Sequence, residues 1–116
     1  YLRRNLVENN LLPVGSYLYV TQPVGSDKLG FGGIIIVHTY EDAYCAFDLA
    51  CPKEQTPSVR IGKPNELLIC TCESCGEQYD LMYGLGTPLK GISKVPLKRY
   101  TAYIDPYDDQ YIVVEP

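Results

Sequence analysis

Residues 45–52 read CAFDLACP, and residues 69–100 read ICTCESCGEQYDLMYGLGTPLKGISKVPLKRY. Together they hold all five cysteines of the chain, in short apolar runs punctuated by turn residues. Cys51 is followed by Pro52, and Cys72 and Cys75 form a C-x-x-C that ends on Gly76. Two cysteine-bearing loops separated by a strand can meet at one point, and thiolates gathered in this way are good metal ligands.

The segments around these two stretches read as strands. Tyr17 and Tyr19 alternate with Leu18 and Val20 over 16–21, the period-two signature of a half-covered strand. Ile34-Ile35-Ile36-Val37 predicts a strand buried on both faces, ending at His38. Glu41-Asp42 is turn chemistry, so 33–38 and 44–48 are expected to form a hairpin. Val59-Arg60-Ile61 predicts a short strand inside a polar link over 54–66. Leu67 to Cys70, Gln78 to Leu81, Tyr100 to Ile104 and Gln110 to Glu115 complete the set, with Asp105-Pro106-Tyr107-Asp108-Asp109 turning the last pair. Gly30-Phe31-Gly32-Gly33 lacks the spacing and the following helix of a phosphate loop, and reads instead as a tight bend. Residues 1–10 read as a tether or docked arm. Leu2 and Leu6 have helical spacing, but Asn9-Asn10 breaks the pattern within two turns.

A length of 116 residues suggests one domain over 1–116. Eleven Tyr against two Phe and no Trp, with nine Pro and ten Gly, favour an all-β fold. The net charge of −4 and the lack of a basic face argue against a nucleic-acid partner. No apolar run is long enough to cross a bilayer. A start at Tyr1 rather than Met is expected of a chain whose leader was removed or whose boundary was cut. No catalytic triad is available, because His38 is the only histidine. Asp105, Asp108 and Asp109 lack the ligand spacing of a calcium loop and read as turn acids. Tyr40, Tyr44, Tyr79, Tyr83, Tyr100 and Tyr103 are candidates for an aromatic binding face, but half-buried strand residues are the simpler expectation.

The register from Cys51 onward resembles the cluster-binding part of the Rieske family, in which one loop carries Cys-x-His and a second Cys-x-x-His-Gly. Cys51-Pro52-Lys53 and Cys72-Glu73-Ser74-Cys75-Gly76 stand at those places. Phe47-Asp48 precedes the first loop. Tyr79-Asp80-Leu81, Gly84-Leu85-Gly86-Thr87-Pro88, Gly91 and Pro96-Leu97-Lys98-Arg99-Tyr100 follow in family order. The resemblance covers about half the chain. It implies an all-β, Rieske-like antiparallel β-sandwich with a small cluster-binding loop subdomain over about 45–96. It also implies a ferredoxin-like, one-electron carrier with a [2Fe–2S] cluster, no catalysis by this chain alone, and a redox partner protein. Gly84 to Gly91 would shape a loop covering the cluster. The chain also resembles exported Bacteroidetes versions of the family, which implies a periplasmic or surface-attached, lipid-anchored setting. Both cluster histidines are replaced, one by Lys53 and the other by Cys75, and Ile92 stands where a Gly-Pro pair is common.

By this resemblance Cys51, Cys72 and Cys75 are the metal ligands, while Cys45 and Cys70 read as buried thiols, with a disulfide between those two also possible. Four readings of the loop cysteines compete. In an iron–sulfur cluster with altered ligands, the fourth donor would be Cys70, Cys45 or a deprotonated Lys53, since an ammonium has no lone pair. All-thiolate ligation would lower the potential, because histidine raises Rieske centres from roughly −400 mV to about −150 mV or above. A zinc site would be structural. A disulfide from Cys51 to Cys72 or Cys75 would staple the loops in an oxidising compartment. A thiol redox motif at Cys72–Cys75 is the weakest, because flanking Glu73 and Glu77 do not favour a thiolate.

Overall fold

Ile34-Ile35-Ile36-Val37 lies at the centre of the protein because it is covered on both faces. The computed structural model describes residues 2–23, 25, 28–52, 59–83, 85–89 and 95–116. The strands among them are β1 (Leu2–Asn5), β2 (Tyr17–Val20), β3 (Ile34–His38), β4 (Tyr44–Asp48), β5 (Ile69–Thr71), β6 (Gln78–Asp80), β7 (Thr87–Pro88), β8 (Arg99–Ile104) and β9 (Tyr111–Glu115). No helix occurs among the described residues. One sheet runs β1-β9-β8-β4-β3-β2 and a smaller one β5-β6-β7, with every pairing antiparallel.

The larger sheet turns at β8. Arg99 and Tyr100 pair with β4, whereas Thr101 to Ile104 pair with β9, so one strand serves two directions. Successive side chains of β3 then enter different cores. Ile34 and Ile36 pack with Leu2, Leu6, Ile112 and Val114. Ile35 and Val37 pack with Phe47, Cys70, Tyr79 and Leu81, beneath the small sheet. Gly86 permits that docking: its φ is +63°, and a Cβ there would lie 2.8 Å from the Phe47 ring.

The structure refines expectation at three places. Of tether and docked arm, residues 2–5 are the second, a strand on β9 with Leu2 opposite Val114. A spacing of four repeats one face in a strand as well as in a helix, so Leu2 and Leu6 are both buried without a helix. Arg3 reinforces the edge through its 2.8 Å ion pair to Asp105 and its stacking over Tyr111. The strand expected from Leu67 begins at Ile69, because Asn65 Oδ1 accepts the Leu67 and Ile69 N–H groups and holds a turn in which Leu68 has φ +57°. Residues 59–61 form isolated bridges rather than a strand.

His38 is buried at the end of β3, where Nδ1 meets the Leu11 carbonyl at 3.0 Å, Nε2 faces Asp42, and the ring stacks on Tyr44. These contacts give it a packing role. The tyrosines named above do not share a face. Tyr79 is in one core and Tyr100 in the other, while Tyr40, Tyr83 and Tyr103 are exposed.

Burial raises several acidic protons together. It pushes the Cys70 thiol up to about 12. Burial also raises Cys45 despite the nearby Arg99 guanidinium, and raises Tyr19 and Tyr44. Tyr100 is raised by burial and then by its bond to the Asp48 carboxylate. The unfolded chain releases these protons at lower pH than the folded one, at the ordinary values of 9.0 for thiols and 10.0 for phenols. Stability contributed by these groups is therefore complete below about pH 9 and is lost as pH rises further. The urea midpoint is expected to hold from about pH 7 to 8.5 and then fall continuously to about pH 11. A flat midpoint across that upper range would contradict this account.

Candidate metal centre

Two loops are brought together by one strut, the segment from Val59 to Gly62. On one side Ala50 bridges Arg60 and the Cys51 N–H bonds the Val59 carbonyl at 2.9 Å. On the other, Ile61 bridges Cys72 and the Gly62 N–H bonds the Thr71 carbonyl at 2.9 Å. The strut thus continues β4 and β5 at once, and Cys51 and Cys72 leave it side by side.

Residues 72–77 form a tight knuckle. The Gly76 N–H bonds the Cys72 carbonyl at 2.7 Å, and the Cys72 N–H bonds the Glu77 carbonyl at 2.8 Å. Gly76 has φ +77°, which suits glycine at the end of such a turn. The backbone N–H groups of Ser74 and Cys75 point back at Cys72 Sγ. They favour a thiolate there, but burial outweighs them and pushes the thiol up to about 11, with the Cys51 and Cys75 side chains adding to the rise. Three thiolates this close together coexist when a cation binds them.

The sulfurs of Cys51, Cys72 and Cys75 all lie within 4.8 Å of one another, and Cys51 Sγ is 3.6 Å from Cys75 Sγ. Thiolates at the corners of one zinc tetrahedron are separated by about 3.8 Å. Cys51 and Cys72 are fully buried and Cys75 is half-buried. The Tyr79 hydroxyl, also buried, lies 3.9 Å from Cys51 Sγ. A soft, sulfur-only donor set in a largely dry corner fits zinc or an iron–sulfur centre and does not fit magnesium or calcium.

The three cysteines expected as ligands are thus gathered together, and the other candidates fall elsewhere. Cys70 faces the core, and Cys45 accepts a 3.2 Å hydrogen bond from Arg99, so neither joins the three sulfurs. Lys53 and Ile92 lie outside the described residues, as do Gly84 and Gly91 of the expected cover loop. None of the five cysteines is in a disulfide. Asp105 belongs to the β8–β9 turn and binds Arg3, with its carboxyl lowered by the Tyr107 N–H and then by Arg3.

Two features beside the centre escape sequence reading. Glu77 is wholly buried, its Oε1 accepting the Gln78 N–H at 2.9 Å. Asp48 is a four-bond acceptor. Its Oδ1 receives the Gly32 and Ala50 N–H groups at 2.9 and 2.8 Å, and its Oδ2 receives the Phe31 N–H at 2.7 Å and the Tyr100 hydroxyl. Arg60 adds a 2.6 Å bond to the Gly32 carbonyl. The glycine turn, the strut and the base of the Cys51 loop are therefore one fixed unit. A signal was present in Gly-x-Gly-Gly, since a Cβ on Gly30 would overlap the Tyr100 hydroxyl and one on Gly32 would lie 2.7 Å from the Ala50 nitrogen.

No protein-family model and no curated protein matches the chain. Solved structures similar to it include the following two. One is a chain of the complex of reduced oxygenase and oxidized ferredoxin in carbazole 1,9a-dioxygenase, with TM-score 0.53 and 13% identity over 90% of this chain and 92% of that one. The other is the Sphingomonas yanoikuyae B1 ferredoxin, with TM-score 0.50 and 14% identity over 84% of this chain and 87% of that one. At such identities the likeness is one of architecture, and the protein accordingly has an all-β, Rieske-like fold.

Proposed function

We propose that Cys51, Cys72 and Cys75 hold a metal centre and that the protein is a small, ferredoxin-like electron carrier without catalytic activity of its own. The observation that carries this reading is the convergence of three thiols from two loops of a Rieske-like fold. A [2Fe–2S] cluster, when bound, would supply reversible one-electron transfer. The chain's own residues prepare for such a group. The knuckle N–H groups of Ser74 and Cys75 favour negative charge on Cys72, and the Tyr79 hydroxyl stands by Cys51. Burial of Cys51 and Cys72 excludes water, and half-buried Cys75 marks the side open to a redox partner. Exposed Phe31 and Val95 offer that partner apolar surface.

A second reading is favoured by the spacing of the sulfurs. All three fit around one ion, whereas donors to the two irons of a cluster stand further apart than donors to one metal. A single zinc would then staple the loops of a non-catalytic module. The deciding experiment is elemental analysis of anaerobically purified protein, with a visible spectrum and acid-labile sulfide measured on the same sample. Iron and sulfide in equal amounts with visible absorption support the carrier. Zinc without sulfide supports the staple. Protein that stays colourless and metal-free after cluster reconstitution and zinc addition sinks both.

A further inference from the structure

We propose that Cys51 and Cys75 are also a site of reversible oxidation, joining in a disulfide that removes two of the three donors and excludes metal. This inference rests on the reading of the three thiols as a metal centre and adds its regulation. The two sulfurs are 3.6 Å apart, so bonding at about 2.05 Å requires them to approach by about 1.5 Å. Rotation of half-buried Cys75 toward the buried Cys51 beneath it can supply that movement. Cys75 is the half-buried member of the three, so a solution reagent meets it first. Cys72 is held back by the N–H groups of its own knuckle and has no exposure.

The reaction is ordinary thiol–disulfide exchange with a small-molecule disulfide as oxidant. The Cys75 thiolate attacks one sulfur of the reagent, forming a mixed disulfide and expelling one small thiolate. The Cys51 thiolate then attacks Cys75 Sγ and expels the second. The protein pair loses two electrons and two protons, and the reagent gains both as two thiols. Sulfur placement favours this product over Cys72–Cys75, because Cys51 Sγ already lies 3.6 Å from Cys75 Sγ, whereas Cys72 Sγ accepts the Ser74 and Cys75 N–H groups and would have to leave them.

The test uses the whole metal-free chain, equilibrated in oxidised and reduced glutathione mixtures and digested under acid for mass spectrometry. The expected product is a Cys51–Cys75 linkage, with free thiols falling from five to three. Zinc titration against a chromophoric chelator should then show binding to the oxidised chain weakened by more than the roughly 100-fold that loss of one outer-shell partner produces. Reduction should restore it. Cys75→Ser should abolish the cross-link. Linkage of Cys72 to Cys75, absence of any linkage in fully oxidised glutathione, or undiminished zinc binding by the cross-linked chain would each overturn the proposal. Reduced protein that takes up neither zinc nor iron would sink the metal reading instead, and the linkage map would still decide the pair.

Discussion

Replacing Cys72 by alanine is expected to bring bound iron or zinc down to background. Cys72 is the sulfur to which the knuckle is addressed, with two backbone N–H groups aimed at it and its neighbours on both loops within 4.8 Å. Loss of an outer-shell partner already weakens a metal site by about 10- to 100-fold, and loss of a first ligand from three must cost more. The informative control is Cys70→Ala. Cys70 is equally buried and sits on β5, two residues before Cys72, but its sulfur lies outside the three. Both variants remove a buried thiol from one core and should lower stability to a similar, small degree. Only Cys72→Ala should lose metal, as read by elemental analysis per chain on protein shown to be folded by its far-ultraviolet spectrum. If Cys70→Ala loses as much metal as Cys72→Ala, the thiol assignment fails and general loosening of the core is the cause.

The central layer of the fold was legible because its pattern has one physical solution. Four branched aliphatics in a row leave no polar face, so Ile34 to Val37 had to be covered on both sides, and they are. The three ligand candidates were legible from their loop positions beside Pro52 and Gly76. Other features were hidden by ambiguity of period or by distance along the chain. Leu2 and Leu6 satisfy strand and helix alike. Pro88 argues against a strand and is tolerated in β7 because that strand lies at a sheet edge. Glu77 carries a charge and so reads as surface, yet it is completely enclosed. Asp48, before Leu49-Ala50, reads as a strand-end acid. Its partners are residues 31, 32, 50 and 100, and only the folded chain brings them together.

Asp48 is also where the largest loss of stability is expected. Asp48→Ala removes the acceptor of three backbone N–H groups and one phenol, all in a region where Asp48 itself is 2% exposed. Each buried donor left without a partner costs about 1–3 kcal/mol. Water entering the vacated space recovers part of this, so the four do not add in full. A loss of about 4 kcal/mol or more is still expected, at the upper end for single substitutions and a large share of the 5–15 kcal/mol that stabilises a typical domain. Tyr100→Phe breaks only one of the four bonds and should cost about 1.5–3 kcal/mol. The comparison is made by urea unfolding of metal-free protein, reading the midpoint with the slope checked for constancy. The order Asp48→Ala well above Tyr100→Phe is required. If the two cost the same, the carboxylate serves Tyr100 alone and the backbone bonds carry little. The consequence reaches the thiols because the Ala50 N–H, one residue before Cys51, is among the bonds lost. Where Asp48→Ala remains folded at low temperature, its Cys51 loop has lost its fixed base, and metal capture should weaken although no ligand has been touched.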